Sequence, residues 1–160
     1  MEASLYERDY YAWVQQQVSY LQQQKFDELD LANLIEEVDD LGRADKKAIK
    51  SNLTVLLVHL LKYKYQPIMV TSSWRNTIVE HRRRILNDLK DSPSLKPFLD
   101  NIFDQVYEDA RVDAAFETQM PFETFPAACP FDREQVLDPT FLPPAQGAGT
   151  LVVETRFQEE

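Results

Sequence analysis

The stretch Asn52-Leu53-Thr54-Val55-Leu56-Leu57-Val58-His59-Leu60-Leu61 decides how this chain must fold. Seven of its ten residues are Leu or Val, and none is charged, Pro or Gly. Lys46, Lys47 and Lys50 precede the run, and Lys62 and Lys64 follow it. It is thus far short of the roughly 20 apolar residues that a membrane span needs. A helix apolar on almost every side must be covered on almost every side. The run reads as the central helix of a bundle.

Composition agrees with that reading. The 160 residues are 44% hydrophobic and 28% charged, the balance of a folded globular chain and too apolar for a disordered one. At this length one domain is expected, over 1–143, with 144–160 a loosely held tail. Only three glycines are present, fewer than the turns of a sheet protein ask for, which favours helices. The single cysteine, Cys129, excludes an intrachain disulfide framework and suits a reducing cytoplasm. The start, Met1 to Tyr10, has no basic region leading into an apolar run, so no signal peptide is expected. The expected location is cytoplasmic.

Charge is unevenly spread. From Arg43 to Arg84 ten Lys or Arg face two acids, whereas the remainder carries seven bases against 25 acids. One reading is an anion- or nucleic-acid-binding face built on Lys46, Lys47, Lys50, Arg83 and Arg84. The other is packing of basic against acidic helices, and it is preferred. A chain with net charge −10 is repelled by phosphate backbones at long range.

Apolar spacing places the other helices. Asp9 is set to cap a helix to about Gln24, with Tyr10, Trp13, Val14, Val18 and Leu21 as its buried face and glutamines opposite. Core packing is the preferred role of Tyr6 and Tyr11 over an aromatic ligand box. Asp27 or Asp30 caps the next helix, whose stripe is Leu31, Leu34, Ile35, Val38 and Leu41. Gly42 can end this helix as a C′ residue, but the phase continues through Ala48, Ile49, Leu53 and Leu56, so one long helix, straight or bent at Gly42, is preferred. It ends before Pro67. Ser72 or Ser73 caps a helix from Trp74 to about Lys90 that buries Trp74, Ile78, Arg82, Ile85 and Leu89. Another begins near Pro97 with Leu99, Ile102, Phe103, Val106, Ala110 and Ala114 inward. Asp113 sits on that face and Asp109 at its edge. From Pro121 to Pro144 six prolines and four phenylalanines imply a strap over the bundle, broken by a short helix at Asp132–Leu137. Leu151 to Thr155 is a strand only if a sheet edge exists. The expected fold is all-α, a bundle of four or five helices with a Pro/Phe-rich strap.

Certain stretches also resemble a known family. Asp9-Tyr10-Tyr11-Ala12-Trp13, the run from Phe26 to Arg43, Leu56 to Pro67, Ser73 to Ile85, Asp91 to Phe98, Tyr107 to Arg111, Cys129-Pro130-Phe131 and Leu137 to Pro143 carry the resemblance, in order and spacing. Over roughly Leu5 to Pro143 the chain is similar to a bacterial family catalogued as domain of unknown function twenty-nine, common in cyanobacteria and proteobacteria. The resemblance implies a small, mostly helical, single-domain bacterial protein. It implies no reaction and brings no catalytic residues with it.

Chemistry-bearing constellations are weak. Glu36 and Glu37 with His59 and His81 suggest a di-metal bundle site, but neither histidine has a Glu three residues before it. No His-Glu-x-x-His or paired-Cys spacing occurs. No metal or cofactor is expected. Cys129, between Ala128 and Pro130, reads as a buried or idle thiol, and no nucleophile elbow or phosphate-cradling loop is present. The remaining signal is charge on buried faces. Arg82 is expected to meet Asp113, Asp109 or Glu37 in a structural ion-pair network. The rival is a polar pocket near His59 and Tyr63 that holds a small ligand. The functional expectation is a non-catalytic interaction module with an unidentified protein partner or a second copy of itself. The alternatives are the anion-binding face and an enzyme or ligand binder around His59 and Arg82.

Overall fold

The computed structural model describes residues 2–145. Among them every regular element is helical: α1 Leu5–Arg8, α2 Tyr10–Gln22, α3 Leu31–Tyr65, α4 Ser72–Asp91, α5 Lys96–Thr118 and α6 Arg133–Leu137, joined by short 3-10 turns. The fold is all-α. The expected tail lies almost wholly outside the described residues, as does the strand considered at Leu151–Thr155. The chain divides into two compact units, Met1–Asp45 and Lys46–Glu160.

In the first unit Ser4 and Glu7 form a capping box on the single turn α1, which spacing had not revealed. Asp9 caps α2 through a bond from the Ala12 amide, 3.0 Å. The chain leaves α2 through Gln24 in the left-handed region, φ 57°, with the Lys25 amide reaching back to the Tyr20 carbonyl. Asp30 then opens α3 by accepting the Asn33 amide, 3.4 Å. Gly42 lies within α3 without ending it, and a Cβ there would meet nothing within 4 Å.

The second unit is built round the Leu/Val run. Leu53, Leu56, Leu57, Val58, Leu60 and Leu61 are all buried, with Ile49 before them. Ile78 and Ile85 cover them from α4, and Leu99, Phe103, Val106, Ala110 and Ala114 cover them from α5. The remaining side is closed by the Pro/Phe-rich strap, which buries Phe125, Phe131 and Val136. Thr71, rather than Ser72 or Ser73, caps α4 by accepting the Trp74 amide. All three are good cap residues, so composition alone could not choose among them.

Two arginines hold the strap. Arg82 on α4 is only 2% exposed. Its Nε–H donates to the Val136 carbonyl at 2.8 Å, and a terminal nitrogen donates to the Phe141 carbonyl at 3.0 Å. Burial lowers its basicity, and nearby Asp138 opposes that shift. The expected carboxylate partners are therefore corrected: Arg82 bonds neither Asp113, Asp109 nor Glu37, but backbone. The reason lies in the strap, whose proline-rich path leaves carbonyls without helical partners that need donors when buried.

Arg111 on α5 does the same for the first half of the strap. It donates to the Phe125 carbonyl at 2.9 Å and 3.3 Å, lies 4.1 Å from the Phe122 ring centre, and pairs with Glu108 at 3.0 Å. Tyr107 adds a bond from its hydroxyl to the Pro126 carbonyl, 2.6 Å. The buried face of α5 thus includes Tyr107, Arg111 and Thr118. Asp113 is exposed and Asp109 half-exposed, because the buried arc is centred towards Tyr107 and Arg111 and away from Asp113.

Arg82→Ala should strand the buried Val136 carbonyl and the part-buried Phe141 carbonyl and cost on the order of 3 kcal/mol. Arg83→Ala, whose side chain is exposed and paired with Glu80, should stay within about 0.5 kcal/mol of the parent. Denaturant unfolding measures both. Hydrogen exchange in Arg82→Ala should rise first across 136–141.

Candidate functional site

The first unit is a helical hairpin whose two helices are joined by polar bonds. Tyr6 and Tyr10 both donate their hydroxyls to Glu37, at 2.6 Å and 2.7 Å. The Trp13 indole N–H donates to Asp30 at 3.0 Å, and the Asn33 amide side chain donates to the same oxygen at 2.7 Å. Gln17, buried although it reads as part of a polar face, accepts the Asp30 backbone amide at 2.8 Å. Tyr10 bonding Glu37 while Trp13 bonds Asp30 sets α2 antiparallel to the start of α3. The rings of Tyr6, Tyr10 and Trp13 pack on one another with centroids 4.8–5.8 Å apart.

Electrostatics follow from this geometry. Two phenol donors hold the Glu37 carboxyl below its ordinary value, and the same bond raises the Tyr6 hydroxyl to about 12. Asn33 and Trp13 likewise hold Asp30 down. All of the bonding that fastens the hairpin lies on one side of α3.

The adjoining flank of α3 is uncovered. Leu31 is 58% exposed, Ile35 68%, Val38 66% and Leu41 69%. On α2, Val18 and Leu21 are also exposed, and between the helices runs a groove of about 200 Å³ lined by Val14, Val18, Leu21, Leu34 and Leu41 among others. The expected buried stripes of both helices are therefore corrected. Of the α2 positions only Trp13 is buried, and of the α3 stripe Leu34 is merely half-buried. Two helices cannot enclose the apolar surface they carry, because each still presents a flank to water.

The remaining candidate residues lie apart from this face. His59 and His81 are half-buried on α3 and α4. His59 Nδ1 bonds the Val55 carbonyl at 2.9 Å, and His81 Nδ1 bonds the Asn52 side-chain oxygen at 2.8 Å. Burial lowers the basicity of both imidazoles. A groove of about 260 Å³ borders Arg82, but Val79, Arg83, Leu86, Asn87 and Pro139 line it, not His59 or Tyr63. Among the anion-binding candidates, Lys46, Lys47 and Lys50 are exposed on α3, with Lys46 5.3 Å from the Phe98 ring centre. Arg83 and Arg84 share Glu80, at 2.6 Å and 2.8 Å, and both hold its carboxyl below the ordinary range. The Cys129 thiol is half-buried, and burial pushes it up to about 11, which keeps it protonated and unreactive. Among the described residues no three of His, Cys, Asp and Glu stand together as a metal site. No described helix is long and apolar enough to cross a membrane.

The Tyr–Glu37 and Trp13–Asp30 bonds need both carboxylates ionised. Their folded-state values are depressed, so the stabilisation is complete above the ordinary carboxylate range and is lost as pH falls below it. In a Trp74→Phe background, Trp13 fluorescence should report loosening of the hairpin during acidification below about pH 4.3. Glu37→Gln should shrink the amplitude of that transition. An unchanged profile would contradict the assigned role of Glu37.

Comparison with known proteins gives a family and no chemistry. No curated protein and no solved structure matches the chain. A family model described as domain of unknown function DUF29 matches residues 5–142. The chain belongs to the DUF29 family.

Proposed function

We propose that this protein is a non-catalytic, cytoplasmic interaction module that engages a protein partner through the apolar face of its N-terminal hairpin. The observation that carries the reading is the exposure of Leu31, Ile35, Val38 and Leu41, four large aliphatic side chains in helical register on one face. Scattered exposed aliphatics need no explanation, but a contiguous stripe continued on the adjacent helix marks an interaction surface. The lone cysteine supports a reducing compartment.

Other readings draw less support. Two of the five cations in the anion-binding reading are engaged by Glu80. The His59 and Arg82 reading draws less support because Arg82 donates to the strap carbonyls of Val136 and Phe141.

Site-specific photo-crosslinking in the cell of origin tests the proposal. A photoreactive residue at Ile35 should give discrete protein adducts, while the same residue at exposed Val112 on α5 should give none. Equal labelling at both positions, or none at Ile35, would contradict the reading.

A further inference from the structure

We infer that the occupant of the hairpin face is an amphipathic helix of a partner protein, apolar along one stripe and lined with Lys and Arg along its edges. This rests on the reading of the hairpin as an interaction face and adds the chemistry of what docks there. Shape argues for a helix. The exposed stripe runs along α3 from Leu31 to Gly42, a rise of about 16 Å or three turns. Beside it lies the groove lined by Val14, Val18, Leu21, Leu34 and Leu41. A ridge next to a groove of that length suits a helix that offers side chains at i, i+3, i+4 and i+7.

Charge argues for the sign of the partner and against a second copy. Residues 1–45 hold eleven acids against three bases, Arg8, Lys25 and Arg43. Arg43 is already paired with Asp39 and Asp40, so it offers little to an incoming carboxylate. Asp39 borders the stripe and shares the Arg43 guanidinium with Asp40, which leaves one net negative charge there, and Asp27 and Glu28 stand at its N-terminal end. A second hairpin would set an equal excess of acids against this one. A helix edged with Lys and Arg meets opposite charge there and is steered towards the face.

Two synthetic peptides with the same leucine stripe test the inference, one edged with Lys and Arg and one with Glu. Fluorescence anisotropy against the full chain should show the basic peptide binding at least about tenfold more tightly. That preference should weaken between about 50 mM and 500 mM salt as screening shortens. The Ile35→Ser/Val38→Ser double variant, altered only at exposed positions, should lose binding by about tenfold or more while keeping its thermal unfolding midpoint. Equal binding of both peptides, or no binding of either, would overturn the inference. So would a concentration-dependent dimer that buries the hairpin and excludes the basic peptide. If crosslinks at Ile35 appear but the peptides show no preference for the basic edges, the partner chemistry falls and the interaction face stands. If neither appears, both fall.

Discussion

A helix without a polar side has to be covered all round, and the Leu/Val run of α3 imposes that constraint on the second unit. α4 and α5 supply two sides, and their buried residues repeat at helical spacing because each need only present one stripe. The third side falls to a segment too rich in proline to be helical. Phe125, Phe131 and Val136 complete the enclosure there. The strap is thus part of the core, not a linker laid on it.

Closing a core with irregular backbone raises a second difficulty. A helix satisfies its own carbonyls, but a strap does not, and buried carbonyls without donors are costly. Arg82 and Arg111 answer this from opposite helices, each presenting several N–H groups in a rigid fork to strap carbonyls. A lysine at either position would offer a compact point charge without that fork. The same arrangement explains how two buried guanidiniums are tolerated: Glu108 pairs with Arg111, Asp138 lies near Arg82, and strap carbonyls accept from Nε and one terminal nitrogen of each.

Much of this was legible in residue spacing. The continuous α3, the Asp9 cap, the burial direction of α4 and the role of the strap all follow from apolar phase and turn chemistry. What spacing could not supply was the partner of each inward face. Arg82 could be placed inside, but its acceptors lie more than fifty residues away on backbone, where side-chain identity is silent. On α5 the small residues Ala110 and Ala114 mark the face only loosely, so a shift of the buried arc by about half a residue step left Asp113 outside and brought Arg111 in. On the hairpin the periodicity of Leu31, Leu34, Ile35, Val38 and Leu41 was read as burial. Periodicity records that a face avoids water, and says nothing of whether the covering surface belongs to the same chain.

That distinction carries the functional account. In the second unit the Leu/Val run of α3 is covered by α4, α5 and the strap of that same unit. In the first, Tyr6, Tyr10, Trp13 and Gln17 fasten one side of α3 through Glu37 and Asp30, and α2 leaves the adjoining stripe exposed. The most direct measurement is hydroxyl-radical footprinting of the isolated full chain, read residue by residue by mass spectrometry. Leu31, Ile35, Val38 and Leu41 should be oxidised as readily as exposed Ile68 and Val112, while Leu53 and Leu57 stay protected. Protection of the hairpin stripe at the level of Leu53 and Leu57 would contradict the account.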